Sequence, residues 1–179
     1  MLSILISTLL AALVFISYNA VVIFKFGVPV SLSDTFYLWN KSKKGLGYIF
    51  TIMMLMMTAC LMPGWLTLTE TISSWSHNLT FLPFIAAGSL AFVAAAPAFK
   101  DCELEFKIHM TAAYCAAAFA MIWCSVVCYH ITWIILPAWL IIIWAIAYAT
   151  KTYKTCTVYW WEIIAIGSTL TTIITESIS

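Results

Sequence analysis

Residues 108–150 contain no Lys, Arg, Asp or Glu. As one straight helix the tract would run to about 65 Å at ~1.5 Å per residue, roughly twice the ~30 Å hydrocarbon core of a bilayer. It is apolar on every side, which rules out an amphipathic helix on a soluble core. The chain must therefore double back inside it, and the plausible bend is Tyr129-His130-Ile131-Thr132. Two crossings follow, over about 108–128 and 132–150.

Four further runs have crossing length: about 2–24, 47–69, 79–99 and 157–176. The fold expected is all-α, a polytopic bundle of six transmembrane helices forming a single transmembrane domain over residues 1–179. Composition agrees. Hydrophobic residues make up 64% of the chain and charged residues 8%, where a soluble domain carries roughly 25% charged residues. Lipid is the main solvent, and no soluble domain of useful size remains. The first run is too long for a signal-peptide core and lacks the cationic start of one, so it reads as a full span closed by Lys25.

All the cations are Lys, and there is no Arg. Loop one holds Lys25, Lys41, Lys43 and Lys44; loop three holds Lys100 and Lys107; loop five holds Lys151 and Lys154. With six spans every lysine falls on one side, which the positive-inside rule makes cytoplasmic. The expected topology is N-out/C-out, multi-pass, in the inner (cytoplasmic) membrane. The absence of an Arg-rich basic surface argues against nucleic-acid binding. Trp65, Trp75 and Trp133 fall near the outer boundary and Trp39, Trp160 and Trp161 near the inner one, as aromatic belts would place them.

Within loop one, Ser33 or Asp34 can cap a short helix through Trp39, lying either in the membrane plane or as a solvated connector. Pro63-Gly64 should kink or unwind the second span. Ala87, Ala91 and Ala95, with Ala94 and Ala98, face Ala112, Ala113, Ala116, Ala117 and Ala120 across the charged loop Lys100–Lys107. Small residues at helical spacing let backbones approach closely, so spans three and four should form a tight hairpin.

Glu162 is the sharpest single residue, about one turn inside span six, with Thr169, Thr172 and Glu176 near its stripe. A carboxylate at membrane depth is costly and usually faces a bundle interior or a water cavity. Glu162, Thr169 and Thr172 are the binding candidates; the alternative is that Glu162 snorkels toward Lys151 or Lys154. Asp34, Asp101, Glu103, Glu105 and His109 share its side, as a hydrated cleft or as ordinary loop solvation. Glu70, His77, His130 and Glu176 form a thinner group opposite. No C-x-x-C pair occurs among the six cysteines, and Cys124 and Cys128 with His130 are too few for a tetrahedral zinc site. No nucleophile elbow, phosphate loop or H-E-x-x-H pattern is present, so no metal or other cofactor is expected.

Ser31-Leu-Ser-Asp-Thr35, Lys44-Gly-Leu-Gly-Tyr48, Pro63-Gly-Trp-Leu66 and Ala95-Ala-Pro-Ala-Phe-Lys100 together resemble a group of small multi-span proteins from gut Bacteroidales and their phages. That likeness covers most of the chain and implies an inner-membrane location, with no particular activity. More distantly, a Ser/Asp-bearing first loop with Pro97, Asp101 and His109 before span four is similar to the ceramidase and progestin-receptor superfamily of membrane hydrolases. This implies a metal-dependent lipid hydrolase with Asp34, Asp101 and His109 as catalytic candidates. That superfamily's zinc site draws further histidines from a late span, and spans five and six here hold none.

The leading reading is a non-enzymatic membrane protein, a small transporter or channel subunit with Glu162 and the Thr stripe facing its interior. The alternatives are the metal-dependent hydrolase and a structural or accessory subunit. Partners expected are the lipid bilayer and either a second copy of the chain or another membrane protein.

Overall fold

Without water in the hydrocarbon layer each backbone amide must find its partner within the chain, and a helix does so locally. The computed structural model describes residues 1–72 and 75–179, and among these it is helical with no strand. The helices are α1 (Leu2–Phe26), α2 (Thr35–Ser42), α3 (Tyr48–Thr71), α4 (Phe81–Ala95), α5 (Glu103–Val126), α6 (Tyr129–Ala149) and α7 (Thr157–Ile178), with a 3-10 turn at Ser76–Leu79 ahead of α4. Six are long and apolar enough to cross a membrane, counting the 3-10 turn with α4. The chain is thus an all-α, multi-pass membrane protein.

The lysine-bearing connections meet at one end. Residues 27–34 fold in toward the bundle, with Pro29, Leu32 and Ser33 buried. The Tyr159 N–H donates to Val30 O at 3.0 Å, tying α7 to this segment. Lys100 Nζ pairs with Asp34 Oδ1 at 2.5 Å, and the Lys100 N–H donates to Tyr37 Oη at 2.6 Å. Burial pushes the Tyr37 phenol above its usual range, so it keeps its proton while accepting that bond.

Helix α7 is the hub, packed against α1, α3, α5 and α6. Half of its most apolar window is buried, against 17% for α6, which sits at the edge on α7 and α5. Tyr159 Oη donates to Asn19 Oδ1 at 2.9 Å, and Tyr18 hydrogen-bonds Thr35, so α1, α2 and α7 are cross-linked by buried polar groups.

Several details differ from the sequence-based expectation. The turn between α5 and α6 falls at Val127 and Cys128, and Tyr129-His130-Ile131-Thr132 forms the first turn of α6. Thr132 Oγ1 donates to Cys124 O at 2.6 Å, which closes the turn one step earlier than polarity alone implied. Helix α3 stays helical for eight residues beyond Pro63. Its Gly64 instead gives room to α1, since a Cβ there would lie 3.0 Å from Ile4 Cγ2. Helix α4 ends at Ala95, four residues short of Phe99.

The α4/α5 hairpin is the most extensive helix pair. Ala112, Ala116 and Ala120 are buried on α5 as the small-residue pattern implied, whereas α4 buries Ala86, Ala87, Val93 and Ala94 and leaves Ala95 exposed. Helix α2 packs Phe36 and Trp39 into the bundle and keeps Lys41, Lys43 and Lys44 outward; its aromatic side covers protein. Trp65 and Trp160, expected in the belts, are core residues at 1% and 4% exposure, while Trp75, Trp133 and Trp161 are exposed. The loop position of His77 and Asn78 holds the 3-10 turn; Ser73 and Ser74 lie outside the described residues.

Candidate functional site

Residues 27–34 are not helical, so their amides need acceptors supplied from elsewhere. For Leu32 a distant span supplies one. Glu162 Oε2 accepts the Leu32 N–H at 2.7 Å, reaching across from the first turns of α7. His109, 2% exposed on α5, stands between two connections: Nδ1 lies 2.9 Å from Ala96 O and Nε2 lies 2.8 Å from Ser33 Oγ. A carbonyl only accepts, so Nδ1 carries the proton toward Ala96. In the neutral ring Nε2 is then the acceptor and the Ser33 hydroxyl the donor. Phe99 stacks on the imidazole at 4.3 Å between centroids and fixes its plane.

Ser33 and Glu162 open onto a cavity of about 80 Å³ enclosed by α3, α4, α5 and α7. A single water needs about 10–15 Å³ on this scale, so several waters or a short alkyl chain would fit. Its longest wall is the α3 stripe Phe50, Met54, Met57, Leu61 and Trp65, spaced at helical repeats over roughly 22 Å. Alanines of α5 form the opposite wall, and it is their lack of bulk that leaves the space. Thr169 also lines it, but its hydroxyl is committed to Ala165 O at 2.8 Å. Trp65 closes the far end, packed edge-to-face on Trp123 at 5.5 Å, and its indole Nε1 has no acceptor among the described residues.

The binding candidates thus part company. Glu162 and Thr169 line the cavity; Thr172 is buried away from it. Glu162 turns inward to Leu32 and does not reach for Lys151 or Lys154. Glu176, on the same stripe of α7, sits at the opposite end, where Oε1 pairs with His130 Nε2 at 2.9 Å.

Of the catalytic candidates, His109 is in the site and Asp34 borders it, its carboxylate turned to Lys100. Asp101 is exposed on the connection between α4 and α5, and Glu103 is spent on an exposed pair with Lys107. Among the described residues no three His, Cys, Asp or Glu side chains gather as metal ligands would. Cys124 and Cys128 are free thiols, and Cys124 donates to Thr169 Oγ1 at 3.8 Å.

Sequence reasoning missed Ser33 as a site residue, treating it as a helix cap. The cap of α2 is Asp34, which makes no side-chain capping bond. One signal was available: Ser33 lies in the first connection and His109 at the start of span four, on the same side of the membrane, in a chain with only three histidines. Compared with known protein families, curated proteins and solved structures, the chain matches none.

Proposed function

We propose that this protein binds a single-chain amphiphile within the membrane, its apolar tail in the α3–α4–α5–α7 cavity and its polar head at Ser33 and Glu162. The observation that carries this reading is the polarity gradient of the cavity. The polar side chains of Ser33 and Glu162 cluster at the lysine-bearing end, while the α3 wall from Phe50 to Leu61 is apolar. A hydrated ion would find no acceptors along that wall, so a conducting path is less well served than an acyl chain is. Small-molecule sites have this form, apolar walls with few polar groups that fix orientation.

Chain width follows from volume, since two acyl chains would need far more space. Met54 and Met57 can shift to admit a longer one, being unbranched and adaptable. Glu162 Oε1 makes no hydrogen bond among the described residues and is placed to accept one from the head group. A hydroxyl or amine donor on the head group would meet it. The lysines support a cytoplasmic position for this end, by the positive-inside rule.

A fatty alcohol with a terminal diazirine, irradiated with the protein in nanodiscs, tests this. Adducts are expected on Met57, Leu61 or Trp65, and Ala116→Leu should suppress them by filling the cavity. Adducts confined to lipid-facing residues such as Leu13 and Ile141 would refute the assignment.

A further inference from the structure

We infer that Ser33 is an acyl-accepting nucleophile activated by His109, and that the amphiphile is a monoacyl ester cleaved at this point. The inference rests on the binding reading above for its substrate, though the dyad stands on separate observations. A serine hydroxyl is a weak nucleophile until an adjacent base takes its proton, and such a base is itself held by a third group. All three parts are here. The Ser33 hydroxyl lies 2.8 Å from His109 Nε2, and His109 Nδ1 is oriented by Ala96 O at 2.9 Å. The ring is clamped by Phe99. A backbone carbonyl takes the orienting place that a carboxylate holds in a Ser-His-Asp triad.

Two further facts separate this pair from a hydrogen bond that merely fastens a loop. Ser33 is only 4% exposed, yet it lines the cavity and so stands beside whatever the cavity holds. The Ser33 N–H has no acceptor among the described residues, which leaves a donor for a carbonyl oxygen at the carbon under attack. With the tail along α3 the ester carbonyl of a monoacyl lipid reaches Ser33, and a hydroxyl of its head can donate to Glu162.

The chemistry balances with water as the only co-reactant. Ser33 Oγ bonds to the ester carbonyl carbon as its proton passes to His109 Nε2. The carbon–oxygen bond to the head group then breaks, and the departing alkoxide takes that proton and leaves as an alcohol. Water drawn from the lysine-bearing end attacks the acyl-Ser33 ester while giving a proton to Nε2. Collapse returns the proton to Ser33 Oγ and releases a fatty acid. Nothing is oxidised or reduced.

The test uses the full chain in nanodiscs, with an alkyl fluorophosphonate as covalent probe and 1-oleoylglycerol labelled in its acyl chain as substrate. Mass spectrometry should place one phosphonyl adduct on Ser33. His109→Gln, which can still accept the Ser33 bond but takes a proton poorly, should slow labelling and oleate release by about 100-fold or more. Ser33→Ala should abolish both, and Ser33→Cys gives a second variant that keeps the loop anchored and should become alkylated by a long-chain maleimide. Photolabelling by the diazirine alcohol is run in parallel on each protein. If the cavity photolabels but Ser33 takes no phosphonate, the nucleophile is refuted and the binding site stands. Phosphonate on Ser33 without cavity photolabelling refutes the lipid site and leaves the dyad. Equal labelling rates in wild type and His109→Gln would show that His109 only fastens the loop, and would overturn the inference.

Discussion

The two ends of the bundle are held by different kinds of contact. At the lysine-bearing end, backbone groups of irregular connections are bonded by side chains from other helices: Leu32 to Glu162, Ala96 to His109, Lys100 to Tyr37. At the opposite end helix meets helix mainly through side chains, as where Trp123 Nε1 donates to Thr69 Oγ1 at 2.7 Å and His130 pairs with Glu176, with the Thr132 hydroxyl bonded back to Cys124 O across the short turn. Part of the difference is local backbone. The α5–α6 turn is only Val127 and Cys128, while residues 27–34 carry a stretch of non-helical backbone into the protein. Irregular backbone at that depth survives only where protein satisfies it. That requirement draws a carboxylate and an imidazole inward, and polar chemistry collects where the helical rule lapses.

The contrast can be broken by removing one bond at each end and ranking the losses. His109→Leu should cost most, about 2–5 kcal/mol, because it strands the Ser33 hydroxyl and the Ala96 carbonyl together. Thermal unfolding followed by tryptophan fluorescence would read this, and a loss below that of Trp123→Phe would invert the ranking. Glu162→Leu leaves the Leu32 amide without an acceptor and should cost about 1–3 kcal/mol. Glu162→Gln keeps an acceptor and should recover most of that, so equal destabilisation by both variants would discard the backbone-bonding role. Trp123→Phe keeps an aromatic ring against Trp65, loses the bond to Thr69 and leaves a small void in the core, for about 1–2 kcal/mol. Smallest of all, Lys107→Ala breaks an exposed pair with Glu103 four residues away and should move stability by no more than about 0.5 kcal/mol.

Much of the fold was legible because the bilayer imposes a length and a polarity that a sequence displays directly. The uncharged tract 108–150 demanded a reversal, and the lysines fall on one side when six crossings are counted. Which faces turn inward was less legible. Helices surrounded by lipid are apolar all round, so Trp65 and Trp133 look alike in sequence, although one is a core residue and the other is exposed. Glu162 stood out because its placement is expensive. Ser33 did not, because a serine costs little wherever it sits, and its meaning comes from a histidine 76 residues away. Asp101 misled for the opposite reason: a charge beside a histidine in sequence needs no proximity in space.

Helix α6 lies against α7 where Trp139 rests on Gly167; a Cβ at that glycine would be 2.5 Å from the indole ring. Beside this contact a groove of about 430 Å³ runs between α1 and α6 along the back of α7, lined by Phe15, Trp139 and Gly167 among others. The molecule therefore has a seam. Apart from the Trp139 bond to Thr171, the His130 pair with Glu176 and the Thr132 hydroxyl at its start, the outermost helix is held largely by shape. Lateral pressure in the acyl-chain layer meets its least resistance along this line, where one missing methyl group sets how closely the last span can close.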